Sequence, residues 1–507
     1  MTKRIIIILL LLSGIALAVI PFMTRAQSSD LPRSTPAAEG ISTAAVINMV
    51  DSMLALQGSD FHHLMVVRHG KVVAEVHPAP FRAKDSHTVF SVSKTVTALA
   101  VGLAIDENRL RLTDRVMTFF YDKMPDVISD SMAAMTVRDL LTMTSGVEPN
   151  DNLRENSADW VKDWLAKPVD YKPGSHFQYD SMCSFMLAAI VQRVTGCTLL
   201  DYLDKKLFKP MGITQAEWEM SPDSINTGGW GLRVPAEALA KLGVLILNKG
   251  NWQGQQLISA DYVEQACSSI IDLDEASDTV SHHGYGYQLW QEVWPGFGDV
   301  SIAAGLYGQH VYIVPKLDVV IVVLGIFVDK EPLKRHIRNL LLSEMSNSPL
   351  APERDLQQRL DSLCSHAMIC LPQGASTGLD MRGKRLVFSR NDYGLQWASV
   401  DGDTLKIARE KVPVESFPMG YRRWRYGSLV GYPPNAIQTV NSMRSLCHDF
   451  EAAAAWAWTS SSTLEIRVHY VNWITATTYV FDFNKRVLTF RDDFPGTRPA
   501  TIPFNVQ

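Results

Sequence analysis

Apolar residues recur at three- and four-residue spacing from Gly40 to Leu54, with Ser42 in the N-cap position, and predict a helix. The pattern then shortens. Leu64–Arg68 and Lys71–Val76 are apolar, β-branched runs separated by His69-Gly70, which predicts a hairpin. From Val89 to about Ala240 the helical period dominates, with segments at Thr95–Asp106, at Val137–Thr144 before Gly146, and at Met182–Thr195 before Gly196. Tyr285–Trp290, Val311–Val314 and Val319–Leu324 are strand-like again, and Lys330–Met345 predicts a closing helix. Together these elements predict an α+β fold, an antiparallel sheet flanked by helices with a mainly helical lobe.

Around Ser346–Pro352 the composition turns to that of a linker, and a short helix to about His366 follows. Beyond Ile369 come short alternating runs such as Arg385–Phe388, Leu464–Tyr470 and Thr478–Phe483, which predict a small C-terminal β-rich domain. A chain of 507 residues is too long for one ordinary core, so two domains are expected, at 27–348 and 349–507.

The first 26 residues have another purpose. Met1–Arg4 is a short basic start, the apolar run Ile5–Met23 follows, and Ala26 offers a cleavage point. This reads as a secretory signal. The run is also nearly long enough to serve as an uncleaved membrane anchor. Either way the rest of the chain is expected outside the cytoplasm, in the periplasm or facing the extracellular side. Net charge is −5 from 48 basic and 53 acidic side chains without long runs of one sign, which argues against a nucleic-acid partner. Of the six cysteines, only Cys364 and Cys370 are placed for a local bridge.

The chemistry concentrates at Phe90-Ser91-Val92-Ser93-Lys94, which opens an apolar helix. Residues three apart share a helix face, so Ser91 and Lys94 meet one turn apart. The helix N-terminus favours negative charge developing beside Ser91. A serine hydroxyl needs a neighbouring base to become a nucleophile, and a desolvated lysine is one such base. A Ser-x-x-Lys alone also arises by chance in a long chain. The adjacent pairs His62-His63 and His282-His283 lack a metal-binding pattern, and no metal or cofactor is implied.

Ser91-x-x-Lys94 in this context resembles the serine β-lactamase and penicillin-binding-protein superfamily, in particular its class C β-lactamase-like branch of esterases and aminohexanoate-dimer hydrolases. Leu31–Gly40, Val101–Glu107, Met135–Gly146, Gly228–Arg233 and Gly284–Gln288 resemble that branch in the same order. The resemblance implies a β-lactamase/transpeptidase-like fold and an acyl-enzyme hydrolase acting on a small-molecule ester or amide. Its Tyr-x-Asn element corresponds to Tyr179-Asp-Ser181, which makes Tyr179 a catalytic residue beside Ser91 and Lys94 and leaves open whether Lys94 or Tyr179 is the base. Ser181 replaces the usual asparagine.

The third element corresponds to Ala303-Ala304-Gly305-Leu306. Gly305 would admit the substrate, and the N–H groups of Leu306 and Ser91 would form an oxyanion hole. The Lys-Thr or His side chains that hold a substrate carboxylate in relatives are alanines here. Substrates without a required carboxylate are therefore expected, unless Arg233 or His310 compensates. Trp230 and Tyr307 are candidates to line the cleft. The alternatives are a β-lactamase, a D-Ala-D-Ala carboxypeptidase, or a penicillin-binding sensor that is acylated but does not hydrolyse. The sequence leaves the oligomeric state open.

Overall fold

The computed structural model describes residues 30–149, 156–273, 283–374, 377–429, 433, 446, 450–493 and 496–507. The segment expected to be an N-terminal signal or anchor, His282 and Cys447 lie outside them. Ser42 caps the first helix, Thr43–Leu54, by accepting from the Ala45 N–H at 3.4 Å. Ser59–Arg68 and Lys71–Val76 form the hairpin, with left-handed His69 and Gly70 making the turn that strand twist favours.

These strands open an eight-stranded antiparallel sheet. Its order runs from Lys71–Val76 through Ser59–Arg68, Val319–Phe327, His310–Val314, Gly298–Ala304, Trp290–Trp294 and His283–Tyr285 to Ile271–Asp272. The central strand, Val319–Phe327, is buried throughout, which explains its unbroken apolar run. One face packs on Thr43–Leu54 and the closing helix, the other on the helical lobe.

Three expected boundaries move. Tyr285–Trp290 is not one strand, because the chain turns through Gly286–Leu289 with Gln288 at φ +58°. The Gln288 side-chain amide donates to the carbonyls of Leu140 and Leu141 and ties the sheet to the lobe. The helix from Val137 stops at Leu141, and Met143 is left-handed. The closing helix is α-helical only over Glu331–His336 and continues as a wider turn over Ile337–Leu341. Beyond the linker-like stretch, Arg354–His366 packs back on Thr43–Leu54, with Leu360 buried against that side of the sheet.

The C-terminal strands form a closed barrel. Ten of them follow one another in a sheet, and a parallel pairing of Met419 with Ala454 joins Glu415–Tyr421 to Glu451–Ser460, closing nine of them into a ring with Arg425–Ser428 added on Glu451–Ser460. Among the described residues the closed ring leaves no long unpaired edge. The barrel seats on the hydrolase part through Arg82, which pairs with Asp85 and the barrel's Glu451 and stacks on Tyr426 at 4.6 Å. Tyr426 Oη also donates to the Pro80 carbonyl at 2.7 Å. Cys183, Cys197, Cys267, Cys364 and Cys370 are free thiols, so the local Cys364–Cys370 bridge does not form.

Candidate active site

The Ser91 segment begins with a kink. Val89 donates its N–H to Leu232 O, Phe90 takes φ +46°, and the helix Val92–Asp106 starts immediately after Ser91. A serine in the N-cap position usually turns its hydroxyl onto the helix's free N–H groups. Ser91 does not. Its Oγ instead lies 2.9 Å from Lys94 Nζ, one turn along. Ser93, between them, accepts from the Leu232 N–H at 3.1 Å and fixes the helix start to the neighbouring strand.

Lys94 is 1% exposed. Its Nζ also contacts Ser181 Oγ at 3.0 Å and Gly229 O at 2.7 Å. Counting donors shows why this arrangement suits a proton carrier. An ammonium donates to all three oxygens. A neutral amine donates to the Gly229 carbonyl and the Ser181 hydroxyl and accepts from the Ser91 hydroxyl. Both protonation states are satisfied without rearrangement. Gly229 must be glycine here, because a Cβ would meet Ser181 O at 2.6 Å.

Tyr179 stacks on Trp290 at 5.6 Å, and its ring centroid lies 4.8 Å from Lys94 Nζ. Burial pushes its phenol up to about 12, while a hydrogen bond with the Ser91 hydroxyl pulls the other way. At neutral pH Tyr179 therefore keeps its proton. Ser181 opens the helix Ser181–Thr195, where Asp180 caps by accepting from the Met182 N–H at 2.9 Å.

Ser91, Tyr179, Ser181, Gly305 and Leu306 line one cleft of about 500 Å³, with Lys94 reaching Ser91 and Ser181 there. Among the described residues no hydrogen bond takes up the N–H of Ser91 or of Leu306. Gly305 lines the cleft and also lies against Val89, since a Cβ there would be 2.4 Å from Val89 O. Of the aromatic candidates, Trp230 lines the cleft, whereas Tyr307 packs away from it against Phe90.

The far wall holds residues that sequence reasoning missed. His283, Trp290, Glu292, Lys330 and Lys334 all face the cleft. Glu292 is buried, and its carboxylate accepts from Lys334 Nζ at 2.7 Å, His283 Nε2 at 3.1 Å and Trp294 Nε1 at 2.6 Å. Burial opposes its charge, but these partners win and hold it down to about 2. Burial, with the charges of Lys330 and Lys334, pushes His310 down to about 3, so it lines the cleft as a neutral ring. Arg233 does not reach the cleft. It is buried, pairs with Glu217 at 2.9 Å and stacks on Phe450 at 4.7 Å. Strand pairing could have flagged Glu292, because it lies opposite His283 in register. Lys330 and Lys334 follow the central strand and carry no local motif.

Residues 50–337 match the Beta-lactamase family model. The 6-aminohexanoate-dimer hydrolase of Paenarthrobacter ureafaciens is 26% identical over 299 residues, covering 54% of this chain and 74% of that protein. Esterase EstB of Burkholderia gladioli is 27% identical over 29% of this chain and 44% of its own length. The fold is similar to that of EstCE1, a hydrolase with promiscuous acyltransferase activity, with a TM-score of 0.50 at 15% identity over 59% of this chain and 98% of that one. The family match covers more than half of the chain, and it spans Ser91, Lys94, Tyr179 and the strand that leads into Gly305. The chain belongs to the beta-lactamase family and is a serine hydrolase.

Proposed function

We propose that Ser91 is the nucleophile of an acyl-enzyme cycle on small-molecule esters or amides, with Lys94 and Tyr179 moving the protons. The observation that carries this reading is the buried Lys94 Nζ set 2.9 Å from Ser91 Oγ at a helix N-terminus, within an open cleft. In acylation Ser91 Oγ bonds to the carbonyl carbon while its proton passes to neutral Lys94. The Ser91 and Leu306 N–H groups hold the oxyanion, and Tyr179 Oη donates to the departing oxygen or nitrogen as the carbonyl re-forms. Tyr179 recovers its proton from Lys94, and water then reverses the sequence to free the acid. A phenol that keeps its proton at neutral pH suits Tyr179 to the donor role and leaves Lys94 as acceptor.

Ala303 and Ala304 leave the strand beside Gly305 without a charged group for a substrate carboxylate. Trp290, Trp230, Ile302 and Leu306 favour an apolar portion near the scissile bond. An acidic group is accommodated further off, facing Lys330, which has no ion-pair partner among the described residues. The N-terminal basic and apolar segment supports export of the enzyme.

Hydrolysis of a short activated ester tests the assignment. Ser91→Ala should lose roughly 10³-fold or more in kcat/KM at unchanged fold. Retained turnover in that variant would refute it.

A further inference from the structure

The barrel reaches the catalytic centre through two residues. Phe90 precedes Ser91, and Tyr307 follows Leu306, so each adjoins one of the two proposed oxyanion donors. Both are non-glycine residues in the left-handed region, at φ +46° and +60°. Such conformations persist only where the surroundings hold them. Their rings meet edge to face, 6.4 Å between centroids. Phe90 is 4% exposed and, with Ile326, joins the apolar cluster that fills the barrel, which includes Leu429, Phe450 and Trp473; Tyr307 packs against the same cluster. On the hydrolase side the two segments touch directly, because Gly305 lies against Val89 O.

The backbone gives this packing a consequence. The ψ of Phe90 sets the direction of the Ser91 N–H. Tyr307 is the left-handed residue of the turn Leu306–Gly308 that presents Leu306. If either relaxed toward an ordinary conformation, a donor would swing off the position where the oxyanion forms. Neither residue needs to touch the substrate to matter.

We propose that the C-terminal barrel is a positioning element for catalysis, holding Phe90 and Tyr307, and through them the Ser91 and Leu306 N–H groups, in register. The inference rests on the acyl-enzyme reading of Ser91. It makes the barrel part of the rate of the chemical step and not only of folding. A donor displaced by about an ångström loses most of its transition-state stabilisation while ground-state binding persists.

The test uses the full chain and three variants, Tyr307→Ala, Tyr307→Phe and Glu451→Gln, the last loosening the seat at Arg82 from the barrel side. The readouts are kcat and KM for an activated ester, the affinity of a phenylboronic acid that adds to Ser91 as a tetrahedral anion, and the melting temperature. Tyr307→Ala is expected to lose about 10- to 100-fold in kcat and in boronate affinity, with KM within about twofold. Tyr307→Phe restores both, and Glu451→Gln shows a smaller loss of the same kind. Unchanged kcat and boronate affinity in Tyr307→Ala would overturn the proposal. So would a loss in which KM and boronate affinity weaken together, or one that merely tracks the folded fraction. A wild type that forms no adduct at Ser91 would instead refute the nucleophile assignment, and this inference with it.

Discussion

Two lysines belong to the same site in different settings: Lys334 lines the cleft, and Lys94 lies buried behind Ser91 and Ser181. Lys94 is held by two hydroxyls and a carbonyl at 2.7–3.0 Å. Lys334 is held by the buried carboxylate of Glu292, which His283 and Trp294 also contact. Hydroxyl and carbonyl partners can be satisfied by either protonation state of an amine. The Lys334 ammonium beside the buried Glu292 helps hold that carboxylate in its charged form. On the proposed mechanism the contrast separates a lysine that moves protons from one that holds a wall.

The largest expected effect is at the first of these. Lys94→Met should lower kcat/KM by roughly 10²–10⁴-fold, and raising the pH should not restore it, since the missing group is the acceptor itself. Tyr179→Phe should cost about 10²-fold, more for poor leaving groups than for activated ones, because its proton goes to the leaving atom. Equal losses across leaving groups would make Tyr179 a packing residue only.

Lys334→Met should act on stability instead. It leaves Glu292 short of its cation, and chemical denaturation should show a loss of up to about 3 kcal/mol with kcat within a few-fold of wild type. The pH dependence sharpens this. The folded state holds Glu292 near 2 against an ordinary value of 4.5, so its contribution is complete above about pH 4.5 and is lost as pH falls toward 2. Melting curves should therefore separate wild type from Glu292→Gln at pH 7 and bring them together near pH 2–3. A constant gap across that range would show that the carboxylate charge is not what stabilises the wall. The smallest effect is at Lys330. Lys330→Ala should raise KM several-fold for an ester bearing a distal carboxylate and leave its neutral analogue unchanged.

The juxtaposition of Ser91 and Lys94 was legible because its parts are local. Ser91 and Lys94 lie one helical turn apart, so spacing brings them together, while Tyr179 and Ser181, beside a helix start, were marked by the family resemblance. The far end was not legible. Glu292 meets His283 through strand register and Lys334 through the closing helix, and none of the three carries a motif of its own. Gly305 was read as admitting a substrate; its approach to Val89 O is a separate contact, visible only once the Ser91 segment is folded against that strand. The alternation after Ile369 announced strands. Closure into a barrel depends on the parallel pairing of Met419 with Ala454, which no local pattern encodes.

The central claim is that Ser91 carries the acyl group and Lys94 takes its proton. Time-resolved intact mass of residues 27–507 mixed with a short activated ester tests it most directly, beside Ser91→Ala and Lys94→Met. The account predicts a transient adduct of one acyl group on the wild type, its decay into product, a much slower adduct on Lys94→Met, and none on Ser91→Ala. An adduct that forms equally on Ser91→Ala, or turnover by the wild type without any adduct, would contradict it.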